Sequence, residues 1–195
     1  ILEKPPSSPM KIHQLSVAYQ PDQDRILVQI NTLAGEVLRV WLTRRMTLIL
    51  LPRLFEATHK LQAEHLQLST TNDAAQQMLM DFKKQQSIAN SDFKTPFNAE
   101  AKALPLGPEP LLVNTLQLSP HAKGILQIGF EEKITAQPRS FQISMDLTLL
   151  HSFLHLLESS AKTAAWGLTP PASAPMPGDT ETDQIGNAEA PHYLN

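Results

Sequence analysis

The sequence predicts an α+β protein made of two tandem βββα units. Each is an antiparallel meander closed by a helix, and the two are related by a pseudo-twofold axis with a helical, proline-bearing linker between them. Three observations carry the prediction. Apolar residues alternate with polar ones in six short runs, the period of half-buried strands. The third run of each set passes straight into a helical pattern, once over 41–55 and again over 141–156. The two passages also share wording: Met46-Thr-Leu-Ile49 matches Leu147-Thr-Leu-Leu150, and the run from Arg25 to Ile30 matches that from Gly124 to Gly129 in pattern.

The first strand is predicted over 11–20, with Leu15, Val17 and Tyr19 on one face. Pro21 to Asp24 supplies turn chemistry, because proline fixes φ and aspartate bonds nearby backbone amides. A second strand over 25–31 aligns Ile26, Val28 and Ile30, and Ala34-Gly35 allows a reversal. The third strand, 36–42, puts Leu38, Val40 and Leu42 on one face and Val37, Arg39 and Trp41 on the other. Thr43 then caps a helix whose interior holds Pro52; a proline there removes a hydrogen bond at a cost of about 3 kcal/mol and predicts a kink. Asn72 caps a second helix over 73–89, with Ala75, Met78, Leu79 and Phe82 at helical spacing.

Residues 90–110 hold several prolines and read as the linker. The second unit repeats the order: strands over 111–118, 125–132 and 139–145, then a helix from Leu147 to about Trp166 capped by Ser144 or Asp146. The boundaries are therefore 1–10, a leader or appended extension; 11–71, the first unit; 72–110, helix and linker; 111–167, the second unit; and 168–195, an acidic, proline-rich disordered tail. In outline such a chain is similar to the whirly-type single-strand-binding proteins, whose strand-rich units are each closed by a helix. That family has four strands per unit where three are counted here, and no sequence motif is shared. The resemblance therefore bears on fold alone.

Composition narrows the function classes. With no cysteine, disulfides, thiolate metal sites and cysteine nucleophiles are excluded, and a cytoplasmic setting is expected. Seven glycines against 16 prolines argue against a glycine-rich phosphate loop. No apolar run approaches the roughly 18–20 residues that span a bilayer. The net charge of -3 makes no global case for nucleic acid, although the arginines gather near 39–53.

Two surfaces stand out. The first-unit helix carries Met46, Leu48, Ile49, Leu50, Leu51, Leu54 and Phe55, which leave almost no polar side. A helix apolar all round needs cover on both sides, so Leu50, Leu51 and Leu54 are the predicted sites of self-association or of docking to a protein partner. The second is basic: Arg39, Arg44, Arg45 and Arg53 around Trp41, a set able to grip phosphates and stack a base of single-stranded nucleic acid. His151 and His155, four apart beside Glu158, have the spacing of a two-histidine metal pair. Without a third ligand they read as the solvated polar side of the last helix, and Trp166 as the anchor of that helix to the body. Asp22 and Asp24 read as turn residues, and no serine lies in a nucleophile elbow. The expectation is a non-catalytic binding or adaptor protein without metal or cofactor, acting through protein–protein association, with single-strand nucleic-acid binding as the alternative.

Overall fold

The computed structural model describes residues 10–65, 73–98, 100, 102–133 and 137–167. The predicted leader, the Asn72 cap and the predicted tail lie outside these, apart from Met10. The chain is α+β, with two sheets and three helices among the described residues. Strands β1 (Ile12–Gln20), β2 (Arg25–Thr32) and β3 (Val37–Thr43) form the expected antiparallel meander. Helix α1 (Arg44–His65) leaves β3 without a loop; Thr43 Oγ1 accepts the Met46 amide at 3.3 Å, which is the predicted cap. The helix continues through Pro52, which lies on its exposed side. Helix α2 (Asp73–Ala89) follows, and the described residues between 90 and 110 return along the first sheet.

That return bears on both sheets. Val37 N–H donates to Ala103 O and Lys102 N–H to Gly35 O, so the linker lies along the outer edge of β3. β4 (Leu111–Leu112) then pairs parallel with Val40 and Trp41. The sequence predicts one strand over 111–118; instead the chain changes sheets at Val113–Asn114. Val113 N–H still donates to Trp41 O, whereas Asn114 N–H donates to Glu131 O in the second sheet. β5 (Thr115–His121), β6 (Ile125–Glu132) and β7 (Arg139–Met145) form that sheet in antiparallel order. Helix α3 (Leu147–Thr163) begins at Asp146, whose carboxylate accepts the Leu149 amide at 2.9 Å.

Alternation decides which faces meet. Val17, Val28, Val40 and Leu111 stand in one row across the first sheet, and Leu118, Ile128 and Ile143 in one row across the second. Both inward faces feed a single core, in which Phe130 stacks on Phe141 with ring centroids 5.0 Å apart. The helices cross over. α1, which follows the first meander, packs on β5 and β6; α3, which follows the second, packs on β1. Ser160 Oγ donates to Val17 O at 3.1 Å and fastens α3 there. At the end of α3, Trp166 is 3% exposed, donates from Nε1 to Asp24 Oδ1 at 3.0 Å and meets Tyr19 edge-on. Trp166 is thus an anchor, as its position after an amphipathic helix suggested.

Two readings of helix faces are corrected. Leu50, Leu51 and Leu54 are 1%, 7% and 0% exposed and belong to the chain's own core, as the inner stripe of α1 with Leu61. They offer nothing to a partner, because the second sheet and α3 already cover them. His151 is buried, not solvated, because α2 and its following turn lie over the polar side of α3. Ser91 Oγ meets Ser152 Oγ there at 2.6 Å, and Phe93 lies against the His155 ring.

Candidate functional site

With the inner stripe of α1 used up in the core, the large apolar groups left exposed on the helices are Leu48, Ile49 and Phe55 of α1 and Met78, Leu79 and Phe82 of α2; Leu33, Phe93 and Leu104 are exposed in the connections. The α2 set is the more informative. Spacing of three and four puts Met78, Leu79 and Phe82 on one side of the helix, and Met80 alone of its apolar residues is turned inward and buried. Met78 is 74% and Phe82 59% exposed. An amphipathic helix ordinarily lays its apolar stripe on the body; α2 lays down its polar side and shows the stripe outward.

Polar bonds hold α2 in this orientation. Gln62 of α1 donates from Nε2 to Met80 O at 2.9 Å, and its Oε1 lies 3.2 Å from His151 Nε2. Since the carboxamide nitrogen is engaged, its oxygen is the acceptor and His151 Nε2 carries the proton. His151 Nδ1 is then a buried acceptor with no partner among the described residues. Burial, and secondarily the Lys84 ammonium, hold this imidazole below its ordinary 6.5. A cavity of about 40 Å³, lined by Thr58, Gln62, Met80 and His151, adjoins the junction. Lys84 Nζ also sits 5.7 Å above the Phe55 ring, tying the exposed apolar groups of the two helices together.

The basic set divides. On the outer face of the first sheet, Ala18, Leu27, Trp41 and Leu112 form one cross-strand row. It is flanked by Ser16–Gln29–Arg39 on one side and Gln20–Arg25–Thr43 on the other, with no carboxylate in any of the three. Arg39 and Trp41 therefore do share a face, and Arg25 joins them. Sequence reasoning passed over Arg25, although its place on the outward period of β2, opposite Thr43, was readable. Arg39 Nη2 donates to Pro108 O, so the linker holds one side of it. Arg44 is exposed and donates to Trp166 O at 3.3 Å. Arg45 and Arg53 are exposed on α1 without a bonded partner among the described residues, and Arg53 lies about 12 Å along the helix from Arg45.

A wider concavity, about 500 Å³, lies between β1, the turn after α2 and the start of α3. Most of its polar groups are already engaged. Gln14 bonds Pro96 O and Asn98 N–H, Asp92 accepts from Lys94 and Thr95 amides, Asp146 caps α3, and Ser91 meets Ser152. The Thr95 hydroxyl, followed by the Thr95 and Lys94 amides, holds the Asp92 carboxyl below its ordinary range. This lining is scaffold chemistry, closing the linker onto the body. Among the described residues no group of three or more His, Asp or Glu side chains is placed to hold a metal ion; His151 faces inward to Gln62 and His155 faces Phe93. No helix of the described residues is long and apolar enough to cross a membrane. No protein-family model, curated protein or solved structure matches the chain.

Proposed function

We propose that this chain is a non-catalytic binding protein of the cytoplasm that docks a partner protein on the outward side of the α1–α2 hairpin. The observation that carries the reading is the reversed amphipathicity of α2: Met78, Leu79 and Phe82 face out while Gln62 and His151 hold its polar side in. An apolar stripe of three- and four-residue spacing suits a partner helix laid alongside. The predicted docking role of the first-unit helix thus passes from Leu50, Leu51 and Leu54 to Phe55 and its neighbours on α2. The test compares what the full chain and its Phe82→Asp variant retain from a lysate of the source cells, followed by direct titration of each retained protein. A partner bound at least about tenfold more weakly by the variant supports the reading; identical retention by both proteins refutes it.

Two finer readings accompany it. The order β1–turn–β2–β3–α1 matches β5–turn–β6–β7–α3, with a 3-10 turn in each first hairpin. This order, and the crossing of the helices, support diverged tandem units about a pseudo-twofold axis. The second concerns the outer face of the first sheet. A row centred on Trp41 between Arg25 and Arg39 suits a stacked base flanked by phosphates, which favours single-strand nucleic acid as a second ligand class. Salt-dependent retention of an oligonucleotide, weakened by Trp41→Ala and by Arg25→Ala, is the expected result; no shift at low salt removes this reading.

A further inference from the structure

Each sheet has two edges, and three of the four are guarded. Outward-facing amides and carbonyls on a bare strand invite another strand, so folds cover, bend or charge their edges. β1 has a register irregularity between Ile12 and Gln14, and its Val17 carbonyl is occupied by Ser160 Oγ. The other edge of that sheet is β4, only two residues long, whose Leu112 amide donates to Glu132 Oε1, with Ala103 lying along β3 beside it. β5 contains Pro120, which has no amide proton, and α1 packs against it. β7 has no proline, no register irregularity and no further strand beside it among the described residues, although α3, which follows it, contacts it. Among the described residues, no hydrogen bond outside its pairing with β6 reaches its backbone between Ser140 and Met145. Its one charge, Arg139, sits at the end of the strand and is bound by Glu132 and by the carbonyls of Leu106 and Glu109.

What the edge presents is close to a palindrome: Ser140-Phe-Gln-Ile-Ser144. Ser140, Gln142 and Ser144 face outward from the sheet, and Phe141 and Ile143 are buried on its core face. Antiparallel pairing of two such strands about Gln142 sets Ser140 opposite Ser144, Phe141 opposite Ile143 and Gln142 opposite Gln142. Polar groups meet polar groups on one face and apolar groups meet on the other. An isologous contact requires this kind of self-match, and it closes after two copies.

We infer that β7 is the seam of a homodimer, in which two second sheets join edge to edge into one six-stranded sheet. The inference is independent of the α2 docking surface, which lies on another element. A seven-residue strand buries less than the roughly 800 Å² per partner of a standard interface, so the dimer is weak and depends on concentration.

Analytical ultracentrifugation of the full chain across a concentration series tests it with a charge swap. Gln142→Lys and Gln142→Glu each place like charges about 5 Å apart across the seam while leaving the core untouched. Each variant alone is expected to dissociate at least about tenfold more readily than the parent, and an equimolar mixture of the two is expected to recover a heterodimer. Phe82→Asp should leave the parent dimer in place. A parent that stays monomeric throughout the series overturns the inference. So do charge variants that dimerise undiminished, a mixture that fails to recover, or a dimer abolished by Phe82→Asp.

Discussion

Replacing Gln62 by leucine probes the junction that turns α2 around. The side chain is 5% exposed and makes two bonds, one to Met80 O and one with His151 Nε2. Leucine has similar bulk, so the cavity term is small and the cost comes from orphaned partners. The variant leaves a buried imidazole N–H unpaired, at about 1–3 kcal/mol, and takes from Met80 O a second bond worth about 0.5–1.5 kcal/mol, its helical bond within α2 remaining. The expected loss is therefore about 2–4 kcal/mol, a large share of the 5–15 kcal/mol typical of a domain. Urea denaturation followed by tryptophan fluorescence measures it, since Trp41 and Trp166 both sit on the body. The double variant with His151→Leu orphans neither member of the Gln62–His151 pair, so it should be more stable than the two single losses imply, by about 1 kcal/mol or more. A Gln62→Leu loss below about 0.5 kcal/mol, with strict additivity in the cycle, would refute the argument.

The same histidine predicts a pH dependence. Its value is depressed in the folded protein, so the unfolded chain takes up the proton first as pH falls. The stability it confers is complete above 6.5 and declines below it by up to about 1.4 kcal/mol per pH unit, until the folded protein itself protonates. In His151→Leu the decline on going below pH 6.5 should be shallower, as denaturation midpoints will show. Leu54→Asp, at a site with no exposure, should unfold the chain instead of dissociating an assembly, visible as loss of cooperative thermal melting. Arg139→Leu strands the Glu132 carboxylate, 7% exposed, and should cost about 3–5 kcal/mol by the same urea assay. Trp166→Phe removes the bond to Asp24 and should cost about 1–2 kcal/mol, with faster hydrogen exchange confined to the end of α3.

Much of the fold was legible because its signals are local. Two-residue alternation marks β6 and β7, and Asp146 and Thr43 announce their helices through hydroxyl or carboxylate placement that any short window contains. What escaped was decided between distant segments. The run after Leu111 shifts its apolar phase from Leu111 and Val113 to Leu116 and Leu118, but a phase shift alone does not name a new sheet; Trp41 and Glu131 reveal that the chain changes sheets at Val113–Asn114. Helical spacing in α2 identified the stripe of Met78, Leu79 and Phe82 but not its direction, which Gln62 sets from another helix. His151 looked solvated because its partner lies 89 residues away. Of the candidate site residues, Arg39 and Trp41 fell together as their alternation on one strand required. Leu50, Leu51 and Leu54 could not be separated from Leu48, Ile49 and Phe55, because a uniformly apolar helix does not disclose which side will be covered.

The crossing of the helices has a consequence for synthesis. α1 emerges behind its own meander, but the strands it packs on begin with β5 and β6, roughly 70 residues further along. At about 5–20 residues per second the ribosome needs some 4–15 seconds to supply them. Throughout that interval the stripe of Thr47, Leu50, Leu51, Leu54 and Leu61 has β3 beside its first turns but lacks the second sheet and α3. The nascent chain thus carries a sticky helix for seconds, and neither half of the protein, expressed alone, should complete its fold. The two halves should instead rescue one another when produced together.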